Sequence, residues 1–145
     1  MKFVRLIVDG SALGNPGHGG WACILQHGSR ERILTGSEPQ STNNKMEMMA
    51  AIRGLQALKE SCEVEVLTDS QYLQRGMTEF LVKWKSNAWR GSSGKPVLNR
   101  ELWLELEVAA AQHHVRWTWV RGHGTDSDHN RADSLARRAA MAGAA

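Results

Sequence analysis

The alternation of apolar and polar residues divides the first third of the chain into three short strands. A β-branched, mostly apolar run from Lys2 to Asp9 is typical of a buried central strand. The segment 10–20 contains five glycines and one proline, which predicts a loop. Apolar runs at 21–27 and 32–36, on either side of a turn at Gly28-Ser29, predict two more strands. We therefore expect an antiparallel meander.

After residue 41 the apolar spacing becomes helical. Strong helix formers dominate from residue 42 or 43 to 60, and four apolar residues recur on one helical face: Met48, Ile52, Leu55 and Leu58. The alternating run 63–68 predicts a fourth strand, and a helix between two strands implies a right-handed crossover with parallel pairing. The remaining predicted elements are helices within 70–112 that break near Gly76 and between 91 and 96, a strand at 115–121, a polar loop at 122–129 and a helix at 130–141.

This order predicts an α/β fold in a single domain, 1–145. The expected architecture is a five-stranded mixed sheet flanked by helices. Strands 1 to 3 are antiparallel in it, and strands 1, 4 and 5 are parallel.

Composition and charge narrow the class of protein. The net charge of +3 is a weak indication of a polyanionic partner. Cys23 and Cys62 lack metal-binding spacing, so we expect free thiols in a reducing compartment. The first apolar run is interrupted by Arg5 and is too short for a signal peptide, and no stretch approaches the roughly 20 apolar residues of a membrane span. We therefore expect a cytoplasmic protein without a membrane partner. We also expect it to be a monomer.

Four acidic residues occupy positions where a site can form. Asp9 ends the first predicted strand and Asp69 ends the fourth, and parallel strands bring such ends together at one edge of the sheet. Glu47 lies one turn into the first long helix, and Asp133 lies in the first turn of the last helix. Taken alone, each acid is more readily explained as a turn former, a helix cap or a solvated residue.

Clustered carboxylates would repel one another, and a divalent cation relieves that repulsion. Oxygen ligands favour Mg²⁺ or Mn²⁺ over zinc. Two such ions, about 3.5–4 Å apart, can activate a water and stabilise the leaving oxygen at phosphorus. The small residues Ala50, Ala51 and Gly54 would let the helix that carries Glu47 approach the sheet closely. Metal-dependent phosphodiester hydrolysis is the chemistry that this set predicts.

Polar residues near the acids suggest proton transfer and substrate contacts. His123 lies in a glycine-flanked loop, where an imidazole could shuttle protons or could simply be exposed. Five further side chains can donate to phosphates, base edges or a 2′-hydroxyl: Asn15, Thr42, Asn43, Asn44 and Gln71. Helix capping explains the segment 41–44 equally well.

A basic segment at about 80–96, which we call the basic protrusion, has no acidic residue between Glu79 and Glu101. It interleaves positive charges with tryptophans: Lys83, Trp84, Lys85, Trp89 and Arg90. Such a pattern fits contacts with a nucleic-acid backbone and bases. The alternative is an amphipathic helix whose tryptophans pack on the core.

Five motifs occur together, and the chain resembles bacterial type 1 ribonuclease H, the ribonuclease HI family, over nearly its whole length. They are Val8-Asp-Gly-Ser-Ala-Leu-Gly-Asn-Pro-Gly17, Thr42-Asn-Asn-Lys-Met-Glu-Met-Met-Ala-Ala51, Leu67-Thr-Asp-Ser-Gln-Tyr72, Trp119-Val-Arg-Gly-His123 and Arg131-Ala-Asp-Ser-Leu-Ala136.

The resemblance implies cleavage of the RNA strand of an RNA–DNA hybrid, with 5′-phosphate and 3′-hydroxyl ends and two metal ions when substrate is bound. It implies that the four acids are metal ligands and that His123 assists the attacking water or the release of product. It implies that Thr42 contacts a DNA phosphate and that the basic protrusion binds the DNA strand. It assigns contacts in the minor groove to Asn15, Asn43, Asn44 and Gln71.

The chain departs from the family pattern at two points. Ala12 stands where relatives often have cysteine, and His129-Asn130 replaces the usual Asn-Glu before Arg131-Ala-Asp133. The second departure changes the polarity of the predicted loop next to Asp133. Two alternatives stay open: a related polynucleotidyl enzyme, such as an exonuclease or a transposase-like catalytic domain, and a nucleic-acid binding module that keeps the fold.

Overall fold

The computed structural model describes residues 1–122, 124 and 126–145. Its strands are β1 (Lys2–Ala12), β2 (Gly17–His27), β3 (Arg30–Ser41), β4 (Cys62–Thr68) and β5 (His114–Trp119). Its helices are α1 (Asn43–Gln56), α2 (Gln71–Arg75), α3 (Leu81–Ser86), α4 (Arg100–Ala111) and α5 (Ser127–Ala144). A π-helical turn, Gly76–Phe80, joins α2 to α3.

The five strands form one mixed sheet in the order β3-β2-β1-β4-β5. β2 pairs antiparallel with both β1 and β3. β4 pairs parallel with both β1 and β5. The predicted fold class is therefore confirmed, including which strands are parallel.

Helices cover both faces of the sheet, which explains the nearly continuous apolar run of β1. Leu6 and Val8 point to one face and pack in the core with residues of α1 and α4. Ile7 points to the other face and packs with Ala132 of α5. Adjacent strand residues thus belong to separate cores because side chains alternate across a strand.

The predicted loop at 10–20 is wrong at both ends. β1 continues past Asp9 to Ala12, and β2 begins at Gly17, so the connection spans only residues 13–16. Gly20 serves helix packing instead of a turn, because a Cβ there would overlap the backbone of α5. β3 is also longer than the predicted 32–36, since its pairing with β2 runs from Arg30 to Ser41.

Several predicted helix and strand limits also change. α1 ends at Gln56 instead of residue 60, and β5 ends at Trp119 instead of residue 121. The expected break near Gly76 is a π-helical turn, where the missing Cβ leaves room for the ring of Trp103. The break between 91 and 96 is confirmed within the irregular segment between α3 and α4.

α5 begins at Ser127 because the carboxylate of Asp126 caps it, accepting hydrogen bonds from the backbone N–H groups of residues 128 and 129. Residues 127–129 are therefore helical, although the sequence predicted a loop there. Asp133 consequently lies in the second turn of the helix and not in the first. Within the described part of the chain, no helix is both long and apolar enough to span a membrane.

Candidate active site

The acidic site lies at the edge of the sheet toward which the parallel strands run. Asp9 belongs to β1, opposite Ala22 of β2, and Asp69 directly follows the last residue of β4. Asp9, Asp69 and His129 each offer one possible ligand atom, and these atoms lie within 4.8 Å of one another. Parallel pairing of β1 with β4 therefore brings the two aspartates together, as the sequence predicted.

Glu47 reaches this edge because α1 lies directly against β1. A Cβ on Gly10 would overlap the backbone of Met46 and Glu47, so glycine permits the close approach. The backbone N–H of Gly10 donates to Glu47 Oε1 at 2.9 Å, and Thr68 Oγ1 donates to Oε2 at 3.2 Å. These bonds hold the Glu47 carboxylate between β1 and β4.

Asp133 approaches the site from the opposite face of the sheet, on α5. Its side chain is 26% exposed, and its Oδ2 lies 3.1 Å from Arg137 Nη2, one helical turn away. Asp133 lies one helical turn after His129, whose Nε2 is 3.7 Å from Asp69 Oδ1, and the Asp133 carboxyl contributes to raising the pKa of Asp9. The four predicted acids thus converge from β1, α1, the end of β4 and α5.

Burial makes negative charge at this edge unfavourable. It raises the pKa of Asp9 to about 6, and the negative charge of Asp69 acts in the same direction. Glu47 is more deeply enclosed, and burial together with the nearby Asp9 carboxyl raises its pKa well above the usual range. Protonation or a bound cation would relieve this cluster.

The residues fit a hard divalent cation. Asp9 Oδ2 is buried and has no hydrogen-bond partner among the described residues. Such an oxygen is unfavourable unless it meets a proton or a cation. Carboxylate oxygens are the ligands that Mg²⁺ and Mn²⁺ prefer.

The sequence did not predict three groups that belong to the site. Thr68 and the Gly10 N–H fix the Glu47 carboxylate, and His129 is buried beside Asp69, with Nε2 at 3.7 Å from Asp69 Oδ1. Signals for all three existed. Gly10 and Thr68 adjoin the catalytic candidates in the chain, and His129 is a departure from the family pattern.

His123, the predicted proton-transfer residue, lies outside the described residues. Its role stays a prediction from the sequence.

The polar residues predicted to contact substrate lie around the start of α1 and α2. Thr42 caps α1, since its Oγ1 accepts from the backbone N–H of Lys45 at 3.2 Å, as the capping interpretation expected. Asn43 Oδ1 accepts from Ala12 N at 2.8 Å, and Asn15 Oδ1 accepts from Asn43 N at 3.1 Å. These two bonds tie the β1–β2 connection to α1.

Four of the five predicted contact residues are exposed: Asn15, Asn43, Asn44 and Gln71. Gln71 is the first residue of α2, two positions after Asp69. The amide oxygens of Asn15 and Asn43 are engaged within the protein, so their NH₂ groups are the natural donors to a ligand.

The tryptophans of the basic protrusion pack inward. The ring centroid of Trp84 lies 5.3 Å from that of the buried Trp103 and 6.3 Å from that of Trp89. This packing agrees with the alternative interpretation of the segment. Lys83, Lys85 and Arg90 are exposed, although Lys85 Nζ pairs with Glu107 Oε2 at 2.6 Å.

Nearly the whole chain, and not the site alone, is similar to known proteins. The family model described as RNase H matches residues 1–141. A ribonuclease H of Xanthomonas euvesicatoria pv. vesicatoria is 49% identical over 142 residues, which cover 98% of this chain and 95% of that protein. A ribonuclease H of Halorhodospira halophila is 52% identical over 135 residues, or 93% of this chain and 91% of that protein.

Two solved structures of ribonucleases H are also similar to this chain. LC9-RNase H1, described as a type 1 RNase H with the type 2 active-site motif, has a TM-score of 0.89 and 31% identity over 98% of this chain and 74% of its own. LC11-RNase H1 in complex with an RNA/DNA hybrid has a TM-score of 0.72 over 98% of this chain and 99% of its own, and its 18% identity supports the fold alone. The chain therefore belongs to the ribonuclease H family.

Proposed function

We propose that this protein is an endoribonuclease that hydrolyses the RNA strand of an RNA–DNA hybrid and leaves 5′-phosphate and 3′-hydroxyl ends. The observation that carries the proposal is the convergence of Asp9, Glu47, Asp69 and Asp133 at one edge of the sheet, in a chain of the ribonuclease H family. Fold alone would not suffice, since one fold can host many chemistries.

The four acids would hold the metal. When bound, Mg²⁺ or Mn²⁺, as two ions in the presence of substrate, supplies an activated water and stabilises charge on the leaving oxygen. The Gly10 N–H and the Thr68 hydroxyl keep both oxygens of Glu47 oriented before substrate arrives. Because the Glu47 carboxylate is already oriented, it has to rearrange less during the reaction.

The residues around the start of α1 and α2 would bind the hybrid. Asn15, Asn43, Asn44 and Gln71 donate amide hydrogens to base edges and 2′-hydroxyls of the RNA strand in the minor groove. Thr42 Oγ1 accepts a hydrogen bond within the protein, which leaves its O–H to donate to a DNA phosphate. His123 assists the attacking water or the release of product.

The basic protrusion would bind the DNA strand through Lys83, Lys85 and Arg90. Trp84 and Trp89 then act mainly by supporting the backbone that presents these charges, since their rings pack against other aromatic rings. LC11-RNase H1, which has the same fold, is known in complex with an RNA/DNA hybrid, and this supports a hybrid as the ligand here. Monomeric state and cytoplasmic location remain predictions from the sequence.

A cleavage assay tests the proposal. A labelled RNA strand is offered as RNA–DNA hybrid, as duplex RNA and as single-stranded RNA, each with Mg²⁺, with Mn²⁺ and with a chelator. We expect internal cuts in the hybrid alone and only with metal. Tight hybrid binding without cleavage in either metal would support the binding-module alternative instead.

A further inference from the structure

His129 is a buried side chain whose ring nitrogens lack an evident function. Its residue is 2% exposed, and neither Nδ1 nor Nε2 has a hydrogen-bond partner among the residues that the structure describes. Burying two polar nitrogens without partners is unfavourable, so such a group calls for an explanation. Asp69 is its nearest charged neighbour, with Nε2 at 3.7 Å from Oδ1.

The structure fixes the direction of this side chain. The backbone N–H of His129 donates to Asp126 Oδ1 at 3.2 Å, which places it in the capped first turn of α5. Ala132, Ala136 and Ala140 continue the same buried stripe along the helix, against the sheet. His129 therefore ends the buried face of α5 at the acidic edge, one helical turn before Asp133.

The spacing between His129 and the acids suits a shared ligand shell. One ligand atom from each of His129, Asp9 and Asp69 lies within 4.8 Å of the other two. Two ligands that each lie about 2.1 Å from one ion are roughly 3 to 4.2 Å apart, depending on the angle between them. The 3.7 Å separation of His129 Nε2 and Asp69 Oδ1 falls in that range.

We propose that His129 is a nitrogen ligand of the metal site, so that one ion is held by an imidazole together with the carboxylates of Asp9 and Asp69. This inference rests on the proposed function, because it assumes that the acidic edge holds metal. Imidazole suits transition metals such as Co²⁺ and Zn²⁺ better than Mg²⁺. The site should consequently favour transition metals more strongly than a site made of carboxylates alone.

Pulsed electron paramagnetic resonance on the Mn²⁺-loaded protein, without nucleic acid, tests the ligand directly. We expect coupling of the Mn²⁺ spin to a histidine nitrogen in the parent chain. His129→Asn should abolish this coupling, with His129→Gln as a second variant if the first fails to fold. The matched control is His123→Asn, which should retain the coupling because its imidazole is not the proposed ligand.

Metal affinity provides an independent readout by titration calorimetry. Loss of even an outer-shell partner typically costs about 10- to 100-fold in affinity, so His129→Asn should weaken Co²⁺ binding by at least about tenfold. Mg²⁺ binding should change less. Mn²⁺ binding without nitrogen coupling in the parent, or coupling lost only in His123→Asn, would overturn the His129 assignment and leave the acidic site standing. Absence of any metal binding would overturn both the His129 assignment and the assignment of the acidic edge as a metal site.

Discussion

Asp69 is the acid at which a single substitution best separates chemistry from binding. Its carboxylate is half-buried and directly follows β4, so an amide of the same shape leaves the strand and its neighbours in place. A neutral amide oxygen binds a divalent cation more weakly than a carboxylate does, because it lacks the negative charge. We expect Asp69→Asn to reduce hybrid cleavage by at least about 1,000-fold, or about 4 kcal/mol of activation free energy, while hybrid binding changes little.

The cleavage assay and a binding assay with a chelator measure these two quantities. Glu63→Gln is the matched control, because this exposed acid lies on β4 near the opposite edge of the sheet. The control should cut at the parent rate. Cleavage by Asp69→Asn at near that rate would refute the assignment of Asp69 as a metal ligand.

Asp9 makes the stability of the metal-free protein depend on pH. Burial raises its pKa from 3.8 to about 6, so the folded chain keeps a proton that the unfolded chain loses between these values. The free energy of unfolding therefore falls as pH rises through this window, by up to about 3 kcal/mol for Asp9 alone. The pKa of Glu47 is also raised, which adds a penalty in the same direction.

Asp9→Asn removes the Asp9 part of that penalty. In a chelator, we expect the variant to be more stable than the parent at pH 7.5 and to lose this advantage toward pH 4. Denaturant unfolding at both pH values measures the difference. Added Mg²⁺ should stabilise the parent more than the variant, since binding to the folded state favours folding. An advantage that did not change with pH would contradict the burial argument.

Among the elements, the contact between α1 and β1 controls the position of Glu47. Gly10→Ala would put a methyl group into the backbone of Met46 and Glu47, so α1 must move away from the sheet. Overpacking of this kind costs typically about 1–3 kcal/mol of stability. A shift of about 1 Å at a catalytic group can cost about 100-fold in rate, and we expect a loss of that order.

Gly91→Ala is the matched control for this substitution. Among the described residues, a Cβ there meets only Lys95 O at 3.8 Å, which is an ordinary contact. Thermal unfolding and the rate of hybrid cleavage measure the two effects. A Gly10→Ala variant that kept both parent values would show that α1 does not need its close approach to β1.

The order of elements could be predicted from the sequence because periodicity distinguishes strands from helices locally. The first and last residues of elements could not be predicted where contacts with distant parts of the chain determine them. Gly20 looked like a loop residue, yet it lies in β2 because α5 packs on it from more than 100 residues along the chain. The start of α5 was missed for a related reason, since a polar stretch fits a capped first turn as well as a loop.

The same distinction applies to the site. The sequence predicted that Asp9 and Asp69 meet near the ends of two parallel strands, because parallel pairing follows from the crossover through α1. They do meet, although β1 continues past Asp9 to Ala12. The burial of His129 beside them depends on how α5 lies across the other face of the sheet, which no local pattern encodes.

At the scale of the whole molecule, the acidic edge and the basic protrusion are joined by one nearly continuous helical path. α2, the π-helical turn and α3 follow one another without a gap from Gln71 to Ser86. At 1.5 Å per residue, a straight helical path would put Lys83 about 18 Å from Gln71, which corresponds to about five nucleotides along one strand. A duplex could therefore contact both regions at once.

This arrangement predicts how hybrid binding responds to salt. Each phosphate contact of a duplex contributes about 0.9 to the slope of log affinity against log salt, so the double variant Lys83→Ala, Arg90→Ala should lower that slope by about one to two. Lys85→Ala should have a smaller effect, because Lys85 is already paired with Glu107. Lys59→Ala is the control, since it lies before β4 at the opposite edge of the sheet and should leave the slope unchanged.

Titrations of hybrid binding at several salt concentrations, in a chelator to prevent cleavage, measure the slope. Cleavage by the double variant at saturating hybrid should stay close to that of the parent, because neither side chain belongs to the acidic edge. A slope that matched the parent's would remove the basic protrusion from the binding surface. In that case, other groups of the protein would have to make the phosphate contacts that set the parent's slope, and the polar residues around α1 and α2 would be the next to test.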